Sequence, residues 1–283
     1  MSKVAVVADS TAYVPADLVS NLNIRVAPLL VNWDGQSYRD GVDMQPVAFY
    51  ERLKKSKSMP TSSQVPVAAF EEVFRQLLEQ GYDVLAVTIS SRFSGTLDSA
   101  VQAKAAMPPD APIELVDSLS AAGQEGLVVL AAARAAQEGL SLAECKSIAE
   151  RVQANSGLFL TVETLEFLHR GGRIGGASRF LGTALNIKPI MEIVEGKISA
   201  VERVRTRNKA VARMVELVEN RIAGRKPVRL FAVHANAEAE ARVMLDQATQ
   251  KLGAVEGILS DVSPVIGVHV GPGTLGLGYS VEW

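Results

Sequence analysis

Short β-branched apolar runs alternate with amphipathic stretches along the first half of this chain, and no other feature limits its fold so strongly. Lys3–Ala8 and Val84–Ile89 are almost unbroken apolar runs, the pattern of strands buried on both faces. Ile113–Asp117 is a further strand, and Ile24–Val31 reads as another, followed by a polar turn region over Trp33–Gly41. Between them, Pro15–Ser20, Val47–Lys55, Ala68–Gln80 and Leu97–Ala106 read as helices, and the Ala-rich Gly123–Gln137 and Leu142–Ala154 follow. Such alternation predicts an α/β architecture with a mostly parallel sheet covered by helices on both faces.

The pattern changes after residue 153. Gly157–Val162 reads as a strand and Leu165–His169 as a short helical turn, followed by a flexible basic loop, Arg170–Gly176. Phe180–Asn186 then leads into Ile187-Lys188-Pro189-Ile190. Pro189–Glu195 and Lys197–Val204 flank Glu195-Gly196 as a hairpin. Helices Asn208–Gly224 and Ala237–Leu252 alternate with strands Val228–His234 and Gly257–Val262. Val265–Val270 and Leu277–Trp283 read as two closing strands around Gly271-Pro272-Gly273. Two α/β domains are expected, residues 1–153 with the parallel sheet and residues 154–283 with a mixed sheet.

Composition removes several classes of function. A formal charge of −2 gives no general electrostatic attraction to nucleic acid or to an anionic membrane surface, and 5% aromatic residues argue against base-stacking platforms. The single cysteine, Cys145, excludes an internal disulfide framework and reads as a packing residue. The three histidines are far apart in sequence, with no carboxylate cluster beside them, so no metal site is expected. Leu127–Ala136 is too short to span a bilayer, and the start MSKVAVVADS lacks a signal-peptide pattern. The expectation is a cytoplasmic protein without stable membrane insertion.

The chemistry concentrates where strands end. Ser90–Thr96 carries four hydroxyls and a glycine between a strand and a helix. Free N–H groups at a helix start favour an anion, so Ser94, Gly95 and Thr96 suggest an anionic head group; helix capping by Ser94 is the alternative. Asp9-Ser10-Thr11 and the Thr61–Gln64 loop, held between Pro60 and Pro66, repeat the arrangement and leave the same two readings. A serine hydrolase using Ser94 with His269 or His234 is a rival, although Arg92 and Thr96 stand where a nucleophile elbow has glycines. Gly271–Gly276 matches a dinucleotide fingerprint, but too few residues follow it to build the required βαβ unit.

Taken together, Asp9-Ser10-Thr11, the Thr61–Gln64 loop, Ser94-Gly95-Thr96, the run from Leu165 through Gly171-Gly172-Arg173-Ile174 to Ile187-Lys188-Pro189-Ile190, and His269–Gly273 resemble the DegV family from about residue 3 onward. These are the fatty-acid-binding proteins that serve as the FakB subunit of bacterial fatty acid kinase. The resemblance implies a non-catalytic subunit with a long-chain fatty acid as ligand and no cofactor. Its carboxylate would lie near the interdomain cleft and its tail in the C-terminal domain. A partner ATP-dependent kinase would phosphorylate that carboxylate to an acyl-phosphate for phospholipid synthesis. Ser94, Gly95 and His269 become expected carboxylate ligands. Ser62-Ser63-Gln64-Val65 stands where the family usually has Thr-Ser-Gln-Pro, so Thr61 or Ser62 supplies the remaining hydroxyl, and Val270 stands where threonine is common. Arg170 is expected near the head group, Arg173 at the kinase-docking face, and Arg205 as a further candidate for that face.

Overall fold

The computed structural model describes residues 3–182 and 187–283. In chain order it contains β1 (Lys3–Asp9), α1 (Ala16–Asn21), β2 (Arg25–Ala27), β3 (Leu30–Trp33), β4 (Gln36–Arg39), α2 (Pro46–Lys55), β5 (Thr61–Ser63), α3 (Val67–Glu79), β6 (Tyr82–Thr88), α4 (Thr96–Ala105), β7 (Ile113–Asp117), α5 (Ala122–Gln137) and α6 (Leu142–Ala154). There follow β8 (Ser156–Thr161), α7 (Glu166–Arg170), β9 (Lys188–Val194), β10 (Lys197–Val204), α8 (Arg207–Ile222), β11 (Val228–His234), α9 (Glu238–Leu252), β12 (Glu256–Asp261), α10 (Pro264–Val270) and β13 (Leu275–Val281). Residues 183–186, within the run expected to lead from Phe180 to Ile187, lie outside the described residues.

The first sheet has the order β2-β1-β6-β7 and is parallel throughout. Helices α3 and α4 pack together against it, and α5 and α6 form another layer. The second sheet, β10-β9-β8-β13-β11-β12, is mixed: only β11 and β12 run parallel. Both match the expected α/β architecture. Helix α5 touches β1 and β6 of one sheet and β13 and β11 of the other, so one continuous apolar core joins them. This approach depends on small residues. A side chain at Gly126 would meet the Phe231 ring at 2.7 Å, and one at Gly123 the Phe231 carbonyl oxygen at 2.8 Å. A second core lies beneath α8 and α9 on the other face of the mixed sheet.

Three expectations are corrected. Ile24–Val31 is not one strand: Pro28, which has no N–H to donate, separates β2 from β3. Strand β3 instead pairs antiparallel with β4 and β5 in a small third sheet. The Thr61–Ser63 hydroxyls therefore stand on a strand, not in a loop. Finally, Val265–Val270 is helix, not strand. Ser263 accepts a hydrogen bond from the Ile266 N–H and Pro264 occupies the first turn, and this start outweighs the strand preference of three valines and an isoleucine. Gly267 gives α10 its close contact with α2: a Cβ there would lie 2.7 Å from the Tyr50 hydroxyl.

Candidate ligand cavity and its polar end

A cavity of about 400 Å³ lies between the sheets, walled by Leu158, Leu160, Ile193, Val233 and Val265 and closer to the first sheet by Leu29, Ile89, Ala121 and Ala122. Its polar side chains come from β5 and the residue after it, from α10, and from the turns that follow β6, α7 and α10. After β6, the Ser94 N–H donates to the Ser90 carbonyl at 3.2 Å and closes the turn that starts α4. Ser94 Oγ lies 2.9 Å from Thr96 Oγ1 and accepts from the Thr96 N–H at 3.3 Å. Ser94 thus stands one residue before the N-cap of α4, which is Gly95 and has no side-chain cap bond, and it also lines the cavity. Beside it, Gly95 has no room for a side chain, because a Cβ would come 2.2 Å from Gln64 Oε1. Gln64, part of the hydroxyl-loop motif but given no role there, is fixed by its Nε2 donating to Ser99 Oγ at 2.7 Å.

Strand β5 divides the two hydroxyl candidates. Alternation half-buries Ser62 and leaves Thr61 exposed. Ser62 lines the cavity and its Oγ lies 2.6 Å from His269 Nε2. Thr61 lines only a second, outer hollow of about 270 Å³, which shares Ser62, Arg173 and His269 with the first. His269 stands in the last turn of α10, its Nδ1 buried against Gly171 with no hydrogen-bond partner among the described residues. Burial, assisted by the Arg173 charge, lowers its pKa to about 4, so the imidazole is neutral at neutral pH.

The basic segment is more ordered than a flexible loop. Gly171, Gly172 and Arg173 each donate a backbone N–H to the α7 carbonyls of Phe167, His169 and Leu168. Arg173 Nε then donates to the Phe93 carbonyl at 3.1 Å and Nη1 to the Gly171 carbonyl at 2.8 Å. It therefore ties this turn to the Ser94 turn and lines the main cavity. Arg170 pairs with Glu166 and faces only the outer hollow. Arg173 thus lies on both hollows and Arg170 on the outer one, because α7 aims Arg170 back at its own i−4 carboxylate. Arg205 is exposed and lines neither cavity.

The geometry does not assemble the hydrolase alternative. Ser94 Oγ meets Thr96 rather than a histidine, and His269 meets Ser62 with no acid at Nδ1 to orient it. His234 lies 3.6 Å from Asp261 and lines neither cavity. Asp9 is a structural group: it accepts from the Thr11 and Ile89 N–H groups at 2.8 and 2.7 Å. The Gly271–Gly276 fingerprint runs into β13 rather than into a helix.

Residues 3–282 match the family described as "Uncharacterised protein, DegV family". A DegV domain-containing protein of Clostridium perfringens is 35% identical over 282 residues, covering 99% of both chains. Among solved structures, a DegV family protein of Thermus thermophilus described as binding fatty acid superposes with a TM-score of 0.93 at 34% identity, covering 99% of this chain and 100% of its own. The fatty-acid-binding DegV of Bacillus subtilis gives 0.89 at 32% identity with both chains fully covered. A stearic-acid-binding protein of Eubacterium ventriosum gives 0.90 at 27% identity, covering 99% and 98%.

Proposed function

The chain belongs to the DegV family, and on that premise we propose that it binds one long-chain fatty acid and presents the carboxylate to an ATP-dependent kinase. The observation that carries this reading is the division of the cavity into a long apolar wall and one polar end containing Ser62, Gln64, Ser94, Arg173 and His269. Burying one methylene is worth about 0.8 kcal/mol, so a chain of about fifteen contributes on the order of 12 kcal/mol before ordering costs. The head group then needs orientation more than affinity. Neutral donors at Ser62, Ser94 and the Gly95 N–H serve that need, with Arg173 adding charge at the mouth. Since His269 Nδ1 has no partner, the tautomer that leaves no buried N–H unpaired has its proton on Nε2. His269 then donates to Ser62 Oγ, and the Ser62 hydroxyl proton is free for the carboxylate.

In this reading residues 1–153 supply the hydroxyl turns, and residues 154–283 supply His269, Arg173 and most of the apolar wall. Phosphorylation makes the acyl-phosphate used in phospholipid synthesis, and the kinase reaches the carboxylate through the outer hollow, with Arg170 on its rim and Arg205 farther along the docking face. The chain itself is non-catalytic, the FakB role, and works in the cytoplasm. Among the described residues no helix is long and apolar enough to cross a membrane. Native mass spectrometry of protein purified from bacterial cells tests the first step: one co-purified long-chain acid per chain is expected. Protein that neither carries such an acid nor takes one up when it is supplied would overturn the reading.

A further inference from the structure

Strand β13 carries two glycines on the face it turns toward α5 and the cavity. Leu275, Leu277 and Tyr279 lie in the core beneath α8 and α9, so alternation sends Gly276 and Gly278 to the opposite face. Neither glycine has a positive φ, so space rather than backbone conformation explains both. They use that space differently. At Gly278 the gap is filled by protein: a Cβ would lie 3.2 Å from the Gln124 nitrogen and the Gly123 carbonyl carbon of α5. Gly276 is closed in by protein too, but unlike Gly278 it also lines the cavity, as do Leu158, Leu160 and Val233. A Cβ there would come 2.8 Å from Val233 Cγ2 and 3.5 Å from Leu158 Cδ1.

Resting on the fatty-acid reading above, we propose that Gly276 is a specificity-determining residue that sets how much acyl chain the cavity accepts. The tail passes over bare β13 backbone at Gly276, where a side chain would occupy its path. Val233 cannot yield easily, because its branch is on Cβ and both methyls are fixed by one torsion. A methyl at position 276 therefore forces β13 and Val233 apart, and since both line the cavity, the displaced wall takes its volume from the ligand. The side chains nearest a methyl at 276 are Val233 and Leu158, and the neighbouring Thr274 hydroxyl is already bonded to the Val270 and Gly271 carbonyls, so the effect falls on the tail and leaves carboxylate binding intact.

The test is displacement of a fluorescent fatty acid by dodecanoic, tetradecanoic, hexadecanoic and octadecanoic acids. For Gly276→Ala, the ratio of octadecanoic to dodecanoic affinity should fall by more than about tenfold relative to wild type. Val233→Ala in the same chain should restore much of that ratio by returning the lost volume. Ser94→Ala, at the polar end, should weaken every acid by a similar factor. If Gly276→Ala does not fold, Val233→Ala alone carries the test, and it should move preference toward longer acids. Length-independent losses, or no change, in the Gly276 and Val233 variants while wild type binds these acids would overturn the role of Gly276 and leave the fatty-acid reading standing. Failure of wild type to bind any of the four acids would overturn that reading and this inference with it.

Discussion

Thr11 Oγ1 lies 2.7 Å from Glu125 Oε2 and, on its other side, 2.6 Å from Asp9 Oδ1. A hydroxyl has one proton, so it can donate to only one of these acids; the other must be protonated and donate to Thr11. Asp9 already accepts from two backbone N–H groups, which favours its carboxylate. The proton therefore belongs on Glu125, whose burial, followed by the nearby Asp9 charge, raises its pKa well above the ordinary carboxylate range. Helix α5 is thus fastened to the end of β1 by a neutral glutamic acid.

Glu125→Gln can replace that proton with an amide N–H donor to Thr11. A raised folded pKa contributes stability that is complete below the ordinary glutamate value of 4.5 and is lost as pH rises through the folded value. The Glu125→Gln variant should therefore match wild type in acid and gain on it as pH rises, in thermal unfolding followed by circular dichroism. Glu125→Ala should lose roughly 2–3 kcal/mol in mildly acidic solution, from the missing bond and the space left behind. Parallel stability profiles for wild type and Glu125→Gln would place the proton elsewhere.

Two other groups oppose each other across mildly acidic pH. Asp40 accepts from Ser10 Oγ at 2.6 Å and from the Val265 N–H at 3.1 Å, but burial raises its pKa from 3.8 to about 7. Its contribution to stability declines as pH rises across that interval. His269 is shifted down from 6.5 to about 4, so its contribution is complete above 6.5 and is lost as pH falls toward 4. Between these values the slopes offset. Asp40→Asn should leave a stability that rises with pH, and His269→Gln one that falls. Denaturant titrations at stepped pH read both slopes, and unchanged slopes would show that these groups do not titrate on unfolding as assigned.

The Ser62–His269 contact predicts non-additivity in ligand binding. Ser62→Ala and His269→Ala should each weaken a fluorescent fatty acid by about 1 kcal/mol, but together by less than the sum, because either change breaks the same 2.6 Å bond. Ser94 bonds to Thr96 instead, so Ser94→Ala combined with Ser62→Ala should be close to additive. Additive losses for Ser62 and His269 would mean that they act separately on the ligand.

The regular elements of this fold were legible because one signal governs each of them. β7, α6, β10 and β11 begin and end where apolar period and turn residues place them. The errors arise where two signals compete. In α10, a capping serine and Pro264 prevail over β-branched composition. In β2 and β3, Pro28 divides an apolar run that looks continuous. The hydroxyl turns were visible as polar breaks, but nothing local indicates that Ser62 rather than Thr61 faces His269, a contact across 207 positions of chain. Glu125 gave no signal at all. It sits in an Ala-rich helix and acquires meaning only where α5 meets β1.

On the proposed function, the arginines at the cavity mouth serve different steps, Arg173 fatty acid binding and Arg170 phosphoryl transfer by the kinase. Arg173 bonds to the Phe93 carbonyl beside Ser94 and lines the cavity, so Arg173→Ala removes both a tether and a charge from the polar end of the cavity. It should weaken fatty acid binding as well as kinase-dependent turnover, and Arg173→Lys should restore little, because one ammonium does not reproduce the planar guanidinium that reaches two carbonyls at once. Arg170 is half-exposed, pairs with Glu166 alone among the described residues, and borders the outer hollow. An exposed i,i+4 pair contributes at most a few tenths of a kcal/mol, so Arg170→Ala should leave stability and fatty acid affinity near wild type. Its loss should appear as reduced acyl-phosphate formation with the cognate kinase, with the deficit growing at low protein concentration if docking is the weakened step. Displacement of a fluorescent fatty acid and acyl-phosphate formation are measured on the same preparations. Full turnover by Arg170→Ala, or binding by Arg173→Ala as tight as wild type, would reverse the two assignments.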